Sequence, residues 1–154
     1  MISKSLEEYL MTLYVIKMKK NDVRVTDIAN KMNYSKPSVN KALHNLKDNG
    51  LIEYESYGKI ILTQDGEDLA KKILEAYDIV YIFLKEVLGL DEELSKSDAE
   101  KMKSALSDET LNELAKYVHK ELGLNEYGCD YNLNNEQCRR CTKLIKEKRM
   151  AKEN

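Results

Sequence analysis

Three cysteines stand within the last 26 residues of this 154-residue chain: Cys129, Cys138 and Cys141, the last two enclosing Arg139-Arg140. The C-x2-C spacing lets two thiolates reach one metal ion, and Cys129 lies nine positions upstream across a polar stretch. A zinc ion needs a fourth ligand, for which His119 is a candidate. An iron–sulfur cluster can instead use the three thiolates with an outside or exchangeable ligand. The two arginines also lower the thiol pKa values, which suits a redox-sensing dithiol. Against these stand plain unliganded thiols, and a His119 that is simply a surface residue on a helix whose apolar face is Leu111, Leu114, Ala115, Val118 and Leu122. The run Arg139–Lys152, with seven Lys/Arg and one Glu, fits either a solvated helix end or extra phosphate contacts.

A second group of residues suits nucleic acid. After Ser35 the positions Val39, Ala42, Leu43 and Leu46 recur at helical spacing, and the rotation of about 100° per residue turns Pro37, Asn40, Lys41 and His44 to the other face. Lys36 and Ser38 lie at the helix start. Ser, Asn and Lys donate to phosphates or read base edges, and a helix N-terminus itself attracts a phosphate. Tyr57 and Lys59 sit at the tip of a hairpin that follows. The bland alternative is an ordinary solvated helix face, and for His44 the two readings are about balanced.

These groups require a specific set of elements. Leu6, Tyr9, Leu10, Leu13 and Ile16 mark a first amphipathic helix, which the capping box Ser5-Leu6-Glu7-Glu8 would start. Val23-Arg24-Val25 is a short alternating piece, and Thr26 is the expected N-cap of a second helix bearing Ile28, Ala29 and Met32. Asn33-Tyr34-Ser35 breaks the chain, Ser35 caps the third helix with Pro37 in its first turn, and Asn49-Gly50 stops it. Residues 51–55 and 59–63 form a two-stranded hairpin around Ser56-Tyr57-Gly58. A long helix carries Leu69, Ile73, Tyr77, Val80, Leu84 and Val87 and ends near Gly89. Two more helices are expected, from Ser97 and from Ser107. Three helices, a tight break before the third and a hairpin after it are the parts of a winged helix-turn-helix.

Composition agrees. The chain is 42% hydrophobic and 34% charged with a net charge of −2, and its six glycines and single proline argue against an all-β sandwich. No apolar run reaches the roughly 18–20 residues of a membrane span, and the N-terminus lacks the pattern of an export signal, so a cytoplasmic location is expected. An odd cysteine count in that setting argues against a disulfide framework. No Gly-rich phosphate loop, nucleophile elbow or HExxH motif points to an enzyme. The expected fold is mainly α, a winged helix-turn-helix DNA-binding domain (1–66) followed by an all-helical domain (67–124) and a Cys-containing basic segment (125–154).

The run Ser5-Leu6-Glu7-Glu8-Tyr9-Leu10, the helix start Val25-Thr26-Asp27-Ile28-Ala29, Ser35-Lys36-Pro37-Ser38-Val39, and Leu51-Ile52-Glu53-Tyr54 followed by Leu62-Thr63-Gln64-Asp65-Gly66 resemble the DtxR/MntR family of metal-dependent repressors. Leu88-Gly89-Leu90-Asp91-Glu92-Glu93 and Ala105-Leu106-Ser107-Asp108-Glu109 extend the resemblance over residues 5–122. It implies a homodimer on double-stranded, palindromic operator DNA, with residues 67–124 as its all-helical dimerisation domain, and Mn²⁺ or Fe²⁺ held by carboxylates and imidazoles. The third domain of the longer members is not expected here.

The same resemblance implies a metal site that this sequence has largely replaced. Glu8 and Glu100 stand at ligand positions, but Tyr77 occupies the place of a histidine, Lys103-Ser104 that of a Glu-His pair, and Met11 that of a carboxylate. Glu8 and Glu100 also fit S-x-x-E capping boxes with Ser5 and Ser97. Lys103 is either a solvated helix lysine or a fixed ammonium standing in for the cation. The functional expectation is a DNA-binding regulator not controlled through the usual Mn/Fe site; the alternatives are a protein-binding adaptor on the same fold, or a regulator sensing redox state or an iron–sulfur cluster.

Overall fold

Capping side chains decide where the helices begin, and several begin earlier than the sequence patterns suggest. The structure, a computed structural model, describes residues 2–123. In the first helix, α1 (Lys4–Lys19), the Ser3 hydroxyl accepts the Leu6 N–H at 3.3 Å, so Ser3 rather than Ser5 is the N-cap and Glu8 lies beyond the capping position. In α2 (Val25–Met32) the N-cap is Arg24, not Thr26. There the Asp27 carboxylate accepts the Arg24 N–H at 2.7 Å and pairs with Lys20 at 2.8 Å, and that bond to Lys20 is the main cause holding Asp27 below the usual carboxylate range. Val25 therefore belongs to a helix and not to an extended piece.

α3 (Lys36–Asp48) starts as expected: Ser35 accepts the Ser38 N–H, and Pro37 sits in the first turn, where its missing N–H leaves no helical bond unmade. Asn33 adopts the left-handed conformation that the break requires. The hairpin pairs β1 (Ile52–Tyr54) with β2 (Ile60–Leu62) antiparallel, in the register Ile52 to Leu62 and Tyr54 to Ile60. In both strands the two outer residues are buried and the middle one is exposed, the alternation of a sheet with one covered face. Leu10, Leu13 and Tyr14 of α1, Ile28 of α2 and Val39, Leu43 and Leu46 of α3 are fully buried, and the three helices pack pairwise on one another, with β1 against α3.

The chain divides into two compact units between Ile73 and Leu74, within α4 (Gln64–Ile82). Thr63 caps α4, its hydroxyl accepting the Gly66 N–H at 3.1 Å and donating to the Gly50 carbonyl at 2.7 Å. The helix continues as a π-helical turn over Phe83–Val87, and Gly89 at φ +71° ends it. The buried set of this helix is broader than the single stripe expected: Ala70, Ile73, Ala76, Ile79, Val80, Ile82 and Leu84 are buried, while Leu69 and Tyr77 are only partly so. A helix covered on more than one side buries more than one stripe.

The second unit adds α5 (Glu92–Met102) and α6 (Asp108–Glu121), with Ala99, Leu111, Ala115 and Val118 joining the α4 residues in its core. α5 does not begin at Ser97. Asp91 caps it by accepting the Leu94 N–H at 3.0 Å, Glu92 and Glu93 fill the first turn where the helix dipole favours anions, and Glu92 pairs with Lys96 one turn on. Glu100 consequently lies in the last turn of α5 and caps nothing. Ser107 caps α6 as expected. Among the described residues no helix is long and apolar enough to cross a membrane.

Candidate functional site

The outward face of α3 and the hairpin form one polar surface. Lys36, Pro37, Ser38 and Lys41 are exposed along the first turns of α3, and Tyr57 and Lys59 are exposed at the hairpin. Ser38 is engaged at 2.8 Å with the Ser35 hydroxyl. Asn40 and His44 are half-buried, because each reaches across to the wing. The buried Tyr54 phenol donates to Asn40 Oδ1 at 2.5 Å and accepts the Tyr57 N–H at 2.8 Å, while His44 Nε2 lies 2.7 Å from Ser56 Oγ with its ring 5.3 Å from that of Tyr54. Tyr57 is held at φ +59°, a left-handed conformation that its N–H bond to Tyr54 helps fix.

Nothing in the sequence motifs gives Tyr54 or Ser56 a role at this surface. The available signal was the alternation itself: with Ile52 inside, Tyr54 is also inside, and a buried phenol must find hydrogen-bond partners. Removing that hydroxyl leaves two partners of the wing–helix link unserved. We expect Tyr54→Phe to lower unfolding stability by about 1–2 kcal/mol, read in a urea titration, and to weaken DNA binding through a loosened wing; unchanged values in both assays would show that the hydroxyl links nothing.

The residues that the resemblance would place at ligand positions present a different chemistry. Glu8 and Met11 are half-buried on α1, in the first unit. In the second unit, Lys103 is buried, its side chain only 4% exposed, with its Nζ donating to Glu100 Oε1 at 2.5 Å and lying 6.0 Å from the centroid of the Tyr77 ring. Tyr77 stacks nearly parallel on Tyr81, and burial, then the Glu100 charge, pushes its phenol above the ordinary range. Mn²⁺ and Fe²⁺ take carboxylate and imidazole donors. An ammonium has no lone pair to offer, and a phenol whose deprotonation is disfavoured is a poor ligand. Tyr77, Lys103 and the exposed Ser104 therefore do not fit a divalent ion. Among the described residues no group of three or more His, Cys, Asp or Glu side chains is placed to hold one.

His119 lies in the last turn of α6, where it is 3% exposed, and its burial holds the imidazole below the usual histidine range. It is a core residue of the second unit and not the surface histidine of one sequence reading. Cys129, Cys138, Cys141 and the basic run Arg139–Lys152 lie outside the described residues.

A capped helix presenting its N-terminal turns beside a two-stranded wing, on a three-helix core, defines a winged helix-turn-helix DNA-binding protein. Comparison with known proteins narrows the class. Residues 1–60 match the model of the iron dependent repressor N-terminal DNA binding domain, and residues 63–121 that of the iron dependent repressor metal binding and dimerisation domain. An uncharacterised HTH-type transcriptional regulator of Methanocaldococcus jannaschii is 38% identical over 120 residues, which are 77% of this chain and 96% of that protein. The transcriptional regulator MntR of Lysinibacillus sphaericus is 31% identical over 114 residues, covering 74% of this chain and 81% of its own. Among solved structures, the metal-dependent transcriptional regulator MtsR superposes with a TM-score of 0.67 at 23% identity over 73% of this chain, which spans about half of that longer protein (53%). The chain belongs to the iron-dependent repressor family, the DtxR/MntR group of DNA-binding, metal-binding transcriptional repressors.

Proposed function

We propose that this protein is a transcriptional regulator that binds operator DNA as a homodimer and does so without Mn²⁺ or Fe²⁺ at the family's usual site. The observation that carries the reading is the non-ligating set Tyr77, Lys103 and Ser104 in a chain that keeps an exposed α3 face of Lys36, Ser38 and Lys41 beside the wing. Lys36, Pro37, Ser38, Lys41, Tyr57 and Lys59 contact DNA, Asn40 and His44 position the wing and border the interface, and residues 1–66 make up the DNA-binding part. Residues 67–124 form the dimer: the matched dimerisation domain and the exposed Leu88, Leu94 and Tyr117 support that role. The segment 125–154 carries Cys129, Cys138 and Cys141 as a separate candidate site for zinc or a cluster.

The test is duplex affinity measured with chelator and with added Mn²⁺ or Fe²⁺. We expect the same affinity in all three conditions, with a steep salt dependence from phosphate contacts. A Mn²⁺ or Fe²⁺ requirement that is lost in Glu8→Gln or Glu100→Gln but survives replacement of all three cysteines would place control back at the usual site.

A further inference from the structure

We propose that Lys103 is a built-in cation of the second unit, its ammonium holding against Glu100 and Tyr77 the position that a divalent ion would need and so keeping metal out. The inference rests on the metal-independent reading above and adds the group responsible for it.

A lysine is rarely buried unless its charge is paired, because removing an ammonium from water is costly. Lys103 satisfies that condition with Glu100, whose Oε1 lies 2.5 Å from Nζ, one helical turn back along the chain. The Tyr77 ring, 6.0 Å away, offers its negative π-face to the same charge. The backbone holds the stem in place, since the Lys103 N–H closes the end of α5 on the Ala99 carbonyl and Ala99 is itself fully buried. A divalent ion approaching Glu100 must displace a tethered cation of the same sign and would then find no second carboxylate and no imidazole among residues 77, 103 and 104. A salt-bridged lysine of purely structural use would sit equally well anywhere in the unit. This one lies within the domain that the family uses for metal, facing the side chains of two positions where the resemblance places ligands.

The arrangement makes a constructive test possible. Tyr77→His together with Lys103→Glu places an imidazole and a second carboxylate around Glu100, a donor set suited to Mn²⁺. Mn²⁺ binding to the full chain is followed by the loss of the free-ion electron paramagnetic resonance signal, with the cysteines replaced by serine in every sample and circular dichroism as the check on folding. We expect no binding to the parent chain at micromolar Mn²⁺, and one equivalent bound to the double variant, about a hundredfold or more tighter, with a melting temperature that rises with Mn²⁺ concentration. Adding Glu100→Gln to the double variant should abolish that gain. One equivalent of Mn²⁺ bound by the parent chain and lost in Glu100→Gln would overturn the proposal, and that measurement stands even if the double variant fails to fold. A folded double variant with no gain in affinity would overturn it as well. Neither readout involves DNA. A parent chain that excludes Mn²⁺ yet fails to bind any duplex would sink the proposed function and leave the built-in cation intact.

Discussion

Gly66→Ala is expected to destabilise the protein by about 2–3 kcal/mol, a sign opposite to the one helix propensity alone would give. Alanine normally favours a helix over glycine by about 0.5–1 kcal/mol. Here a Cβ on Gly66 would come within 1.9 Å of the Leu51 carbonyl oxygen and 2.9 Å of its carbon. That carbonyl cannot swing aside, because it accepts the Thr63 N–H at 3.1 Å, while the Leu51 N–H is bound to the Leu46 carbonyl at 3.0 Å. The start of α4 therefore packs directly on the link between α3 and β1, and a side chain there would push the wing away from its support. Urea unfolding at constant m-value is the measurement. Gly50→Ala is the informative companion, since no atom lies within 4 Å of a Cβ there and only its φ of +71° opposes the change; it should cost about 1–2 kcal/mol. A Gly66→Ala variant as stable as the parent would mean that the α4 start and the hairpin yield easily to one another.

Replacing Lys36 and Lys41 together by alanine should weaken binding to specific and random duplexes alike, roughly tenfold or more at moderate salt, and reduce the slope of log affinity against log salt by about 1.8. Both side chains are exposed on the first turns of α3, where the helix N-terminus adds its own positive end. Two lost phosphate contacts release two fewer sets of counterions, which is why the slope is the decisive readout. Circular dichroism should be unchanged, because neither residue takes part in the core. Unaltered affinity and slope would remove these lysines from the interface and favour a winged-helix adaptor that binds protein.

Much of this molecule was legible in its sequence because the interactions involved are local. The stripe Val39, Ala42, Leu43 and Leu46, the Ser35 cap with Pro37 behind it, the stop at Gly50 and the alternating hairpin strands all depend on residues a few positions apart, and all are found in the fold. Local signals misled where two of them competed. Ser97 and Glu100 match a capping box, yet Asp91 caps α5 two turns earlier, because its carboxylate accepts the Leu94 N–H, Glu92 and Glu93 lie at the positive end of the helix and Glu92 pairs with Lys96. Ser3 likewise takes the cap of α1 from Ser5.

The order of elements and the polar face of α3 follow from residue type and spacing alone, whereas the reading of Tyr77, Lys103 and Ser104 as replaced ligands came only through the family resemblance. Only the tertiary structure decided that Tyr54 ties Asn40 to the wing, that Gly66 lies against Leu51, that His119 is buried and that the Lys103 ammonium is shut in beside Glu100. The lysine shows the reason most clearly. Its distance from Glu100 is a matter of one helical turn, but its burial depends on Tyr77, 26 positions away on α4, and on how the helices of the second unit close around that turn.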